Sequence, residues 1–87
     1  MHPVNLTIAN NTNFPLQYQS DWFNLGGLAS GSSWPATVAP SQSGTASCSG
    51  ALGCSGWVHY QCNGTDLYFC FSNPVAGANK IDFGGQT

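Results

Sequence analysis

Two strand-like runs, residues 57–62 and 67–72, flank Asn63-Gly64-Thr65-Asp66, and this stretch restricts the fold more than any other. Asn-Gly supplies two consecutive residues that tolerate positive φ, which a tight turn between paired strands requires. Side chains alternate across a strand. A hairpin here therefore puts Val58, Tyr60 and Cys62 on one face with Leu67, Phe69 and Phe71. Trp57, His59 and Gln61 then share the other face with Tyr68 and Cys70. The first set reads as core. The second reads as an aromatic surface, either partly open to solvent or tucked under a neighbouring loop.

The remaining chain repeats this pattern. Apolar residues do not recur at helical spacing, and β-branched and aromatic residues crowd into further short runs at 4–9, 14–19, 36–39, 45–48 and 80–83. Turn-forming segments separate them at 10–13, 26–27, 30–33 and 40–44. Short strands at this spacing predict an all-β sandwich or barrel, and the reading is a small antiparallel β-sandwich, or part of one, with disulfides, as a single domain over residues 1–87. A chain of 87 residues buries only about 60–65% of its unfolded surface, so cross-links or partner contacts are expected to supplement the core.

Cys48, Cys54, Cys62 and Cys70 can supply the cross-links. Pairing sequence neighbours, Cys48 with Cys54 and Cys62 with Cys70, closes the shortest loops and is preferred. The two crossed connectivities stay open. A hairpin loop of two or four residues would put Cys62 and Cys70 on opposite faces, whereas three or five would put them on the same face. Three N-x-S/T sequons begin at Asn5, Asn10 and Asn63. Together with an even cysteine count they point to a secreted, extracellular glycoprotein. No basic stretch followed by an apolar run opens the chain, so any signal peptide is expected to have been removed already.

Only 5% of the residues are charged, namely Asp21, Asp66, Asp82 and Lys80. Nucleic acid is set aside because its phosphates need several Lys or Arg, and polybasic attachment to anionic lipid fails for the same reason. Each Asp has a plain role: Asp66 closes a turn, Asp82 sits beside Lys80 on a strand edge, and Asp21 starts a loop. Paired-carboxylate catalysis is therefore not expected. A reduced Cys nucleophile beside His59 does not suit an oxidising compartment. The cysteine spacings of five, seven and seven intervening residues do not match a zinc site. No metal or cofactor is called for, and His59 reads as a hydrogen-bonded strand residue. The reading is of a non-enzymatic binding protein.

Trp22, Phe23, Trp34, Trp57 and Tyr68 supply planar surfaces suited to sugar rings or lipid headgroups. Trp22 and Trp34 fall in Gly/Ser-rich segments expected to be loops, where binding residues concentrate. Candidate ligand-binding residues are thus Trp22, Trp34, Trp57 and Tyr68. From Leu67 to Phe83 the chain reads Leu-Tyr-Phe-Cys-Phe-Ser-Asn-Pro-Val-Ala-Gly-Ala-Asn-Lys-Ile-Asp-Phe. Upstream, in order, lie an Asn-rich turn after the first strand, a Trp-plus-Gly segment at 21–27, Trp34-Pro35 leading into a strand, and Gly56 opening an aromatic strand. In these features the chain resembles the N-terminal part of the aegerolysin-like family. The resemblance implies a secreted β-sandwich that recognises membrane lipid, sometimes as the targeting half of a pore-forming pair. It points to Trp22 and Trp34 as membrane-facing, and to Pro74, Gly77 and Asn79 as structural turn residues.

The last strand-like run leads into Phe83-Gly84-Gly85 with no later run to pair with. An open edge of this kind is expected to be completed by another chain or a second copy. Three readings of function follow. The first is recognition of membrane lipid through loop aromatics. The second is a carbohydrate-binding or adhesion module using Trp57 and Tyr68, and the third is a structural subunit of an extracellular coat or filament.

Overall fold

The computed structural model describes residues 3–74 and 80–86, with side chains through Asn73. Among the described residues, eight antiparallel strands form two sheets: β1 Val4–Ala9, β2 Leu16–Leu25, β3 Gly27–Leu28, β4 Thr37–Val38, β5 Ser43–Ser49, β6 Gly53–Cys62, β7 Thr65–Pro74 and β8 Lys80–Gln86. The smaller sheet has the order β1-β5-β3 and the larger β4-β2-β6-β7-β8. The fold is all-β, a two-sheet sandwich as expected. Pro74 ends β7, while Gly77 and Asn79 lie outside the described residues.

The core sits between the sheets. Leu6 and Ile8 of β1 with Ala46 and Cys48 of β5 face Leu16, Val58, Tyr60, Cys62 and Phe71 of the larger sheet, and all are buried. Each strand contributes alternate residues, as a sheet covered on one face demands.

The β6–β7 turn is the two-residue Asn63-Gly64, with φ of 50° and 80°, and Cys62 stands opposite Thr65. This even-numbered loop overturns the preferred pairing of Cys62 with Cys70. Cys62 points into the core, whereas Cys70 stands opposite Trp57 on the outer face, about 16 Å further along the hairpin. Both remain free thiols. The disulfide that forms is Cys48–Cys54. Cys48 lies on β5 and Cys54 on β6, so this one bond joins the two sheets at a buried corner.

The strand-like run at 14–19 predicts a strand ending near Gln19, but β2 continues to Leu25. Two bulges allow this. Tyr18 pairs with Tyr60 and Ser20 with His59, leaving Gln19 as an extra residue; a second shift leaves out Asn24. An inserted residue inverts the alternation beyond it. Asp21 consequently faces inward and Trp22 outward. Asp21 therefore lies within a strand rather than starting a loop.

Candidate functional site

Trp34 is not an exposed loop residue. It is buried at 8% exposure in the connection between β3 and β4, stacked on Phe23 at 6.4 Å and close to Phe71 at 5.8 Å. Its indole Nε1–H donates to Asp21 Oδ2 at 3.1 Å, and Tyr18 Oη–H donates to Asp21 Oδ1 at 2.5 Å. Burial first, then the Asp21 hydrogen bond and negative charge, push the Tyr18 phenol up to about 12. A tryptophan whose ring is packed and whose N–H is used has a structural role. Trp34 is accordingly removed from the candidate binding residues.

Of the other three, Trp22 lies on β2 rather than in a loop and is 51% exposed. It stands directly opposite Trp57 on β6, so the two indoles share the outer face. Tyr68 on β7 meets Trp57 edge to face at 5.3 Å. Trp22, Trp57 and Tyr68 thus come from three adjacent strands and form one aromatic patch. Trp57 and Tyr68 are partly exposed. Among the described residues, the indole N–H groups of Trp22 and Trp57 and the Tyr68 hydroxyl have no protein partner.

Polar groups border this patch. Asn24 Nδ2 donates to Ser55 Oγ at 3.4 Å. Gln61 Nε2 donates to Asp66 Oδ1 at 3.0 Å, and His59 Nε2 lies 2.8 Å from the same oxygen. A carboxylate only accepts, so His59 Nε2 carries a proton, and in the neutral imidazole Nδ1 is then the acceptor. The hydrogen bonds from His59 and then Gln61 hold the Asp66 carboxyl below its ordinary range. The His59 ring stacks on Tyr68 at 4.3 Å with only 11° between the planes. Ser20 Oγ lies 3.5 Å from His59 Nδ1. The sequence indicates His59 and Asp66 singly but not their meeting with Ser20, because the bulge at Gln19 sets that register.

The sequons divide. Asn5 and Asn63 are exposed, but Asn10 is buried at 1% exposure. Both of its amide hydrogens are committed, to Phe14 O and Val38 O at 2.8 Å each. Asn10 is therefore withdrawn as a glycosylation site.

Among the described residues no group of three or more His, Cys, Asp or Glu is arranged to hold a metal ion. No protein-family model matches the chain, and a comparison with curated proteins finds no match either.

Proposed function

We propose that this chain is a secreted glycan-binding module whose ligand lies on the outer face of the larger sheet, across Trp22, Trp57 and Tyr68. The observation that carries this reading is the convergence of three partly exposed aromatic residues from β2, β6 and β7 on one solvent-facing surface. The apolar C–H faces of a sugar ring pack on aromatic planes. Its hydroxyls are met by neutral amide and hydroxyl groups at the border, namely Gln61, Asn24 and Ser55. Near-absent charge fits an uncharged ligand recognised at short range, without long-range steering. Export fits the cross-sheet disulfide and the exposed sequons at Asn5 and Asn63.

Titration with neutral oligosaccharides, followed by tryptophan fluorescence and calorimetry, tests this. Trp57→Ala should weaken binding at least about tenfold, equivalent to about 1.4 kcal/mol. Leu52→Ala, in the exposed turn between β5 and β6, should leave affinity unchanged. If no neutral glycan binds at millimolar concentration while uncharged lipid vesicles do, a membrane-surface role replaces the glycan reading.

A further inference from the structure

Nucleophilic acyl transfer needs a hydroxyl facing a neutral base, with the base held by a third group. Ser20, His59 and Asp66 provide these three parts on three adjacent strands. Asp66 Oδ1 accepts from His59 Nε2 at 2.8 Å, which fixes the tautomer whose bare Nδ1 faces Ser20 Oγ at 3.5 Å. Tyr68, stacked on the imidazole at 4.3 Å, holds the ring plane. The backbone is specialised at the same point, because the bulge at Gln19 puts Ser20 directly opposite His59. Bulges re-aim side chains in this way next to reactive sites. The Ser20–His59 separation is at the long end of hydrogen bonding, as catalytic pairs often are before substrate tightens them.

We propose that Ser20, His59 and Asp66 form a hydrolytic relay that removes ester-linked acyl groups from a sugar held on this face. The choice of substrate class rests on the glycan reading above. Ser20 Oγ attacks the ester carbonyl carbon while its proton passes to His59 Nδ1. The C–O bond to the sugar breaks, and the departing alkoxide takes that proton to leave as a sugar hydroxyl. Water then attacks the acyl-Ser20 carbonyl, losing a proton to Nδ1. Breakdown of this intermediate returns the proton to Ser20 Oγ and releases the carboxylic acid. Tyr68 stacks on His59 and meets Trp57 edge to face, so these aromatic side chains lie on the same sheet face as the pair. An exposed face does not exclude water, which limits the relay to esters, whose alkoxide leaves more readily than an amine. Asp66 is a positioning residue.

The experiment incubates the full chain with an O-acetylated neutral oligosaccharide and with p-nitrophenyl acetate, and measures acetate release. Binding of the deacetylated oligosaccharide is measured in parallel. The relay predicts release that falls at least about a hundredfold in Ser20→Ala and His59→Ala. Ser20→Ala should keep its affinity for the deacetylated sugar, and Asp66→Asn should lower kcat without raising KM. A fluorophosphonate should label the wild-type chain on Ser20, which tests the nucleophile without any variant having to fold. No acetate release and no labelling, with sugar binding intact, overturns the relay and leaves the glycan reading standing. Ser20-dependent hydrolysis of p-nitrophenyl acetate without sugar binding overturns the glycan reading and keeps the nucleophile. Equal release by wild type and Ser20→Ala overturns the relay.

Discussion

Asn10 shows how one buried polar side chain can organise several backbone segments. Its amide donates to Phe14 O and Val38 O, and its Oδ1 accepts from Thr12 N at 3.0 Å and Thr12 Oγ1 at 2.7 Å. Its backbone N–H donates to Gln42 O, and its carbonyl accepts from Ser41 N. The amide's full hydrogen-bonding capacity is used, which is what burial of such a group requires. Asn10→Ala removes the buried amide donor to Val38 O and the acceptor that holds Thr12 N and Oγ1, and leaves a void at a position only 1% exposed. It should cost about 3 kcal/mol and lower Tm by roughly 15 °C in thermal melts followed by circular dichroism. The sequence marks Asn10 as part of a turn and of a sequon, and both markings follow from its residue type. Its burial depends on β4 and the turn before β5 folding over it, which no local pattern announces.

The strands follow the alternation rule until packing overrides it. β1, the middle of β5, residues 57–62 of β6 and most of β7 are legible because apolar residues alternate there, whereas the first four residues of β6, Gly53 to Gly56, carry no such alternation. The second half of β2 is not legible either, since Gln19 and Asn24 are extra residues that break the period of two. Beyond the bulge, Phe23 turns inward and meets Phe71 edge to face at 5.3 Å, although Gly56 lies between their strands. Gly56 makes this approach feasible, because a Cβ there would fall 2.0 Å from Trp22 O and 2.9 Å from Phe23 Cα. Those obstructions are backbone and cannot rotate away. Gly56→Ala should therefore cost about 2–3 kcal/mol in urea denaturation. Gly27→Ala, where a Cβ meets nothing within 4 Å, should stay within about 0.5 kcal/mol.

At the scale of the whole molecule, the two sheets share an apolar interior and one covalent bond. Cys48–Cys54 closes a short loop, six residues apart in sequence, yet its two ends belong to different sheets. In the chain-entropy description a loop of this size contributes about 2 kcal/mol by restricting the unfolded chain. Reduction, or Cys48→Ala with Cys54→Ala, should lower stability by about that amount in chemical denaturation. Thiol counting before reduction should give two free groups per chain, Cys62 and Cys70, with Cys62 protected until unfolding because it is buried. The aromatic surface of the larger sheet is assembled at this scale as well. Trp22, Trp57 and Tyr68 are far apart in sequence and meet because β2 and β7 both pair with β6.

By itself, the sequence determined the all-β class, the hairpin at Asn63-Gly64, and the division of its residues into a core face and an aromatic face. These are local consequences of side-chain alternation and of the backbone freedom of Asn-Gly. Tertiary structure decided the rest. A two-residue turn separated Cys62 from Cys70, packing against Phe23 and Phe71 buried Trp34, and folding of β4 over Asn10 closed a sequon. A single inserted residue, Gln19, brought Ser20 opposite His59. Each outcome depends on which strands pair and in what register, and a shift of one residue moves every later side chain to the opposite face.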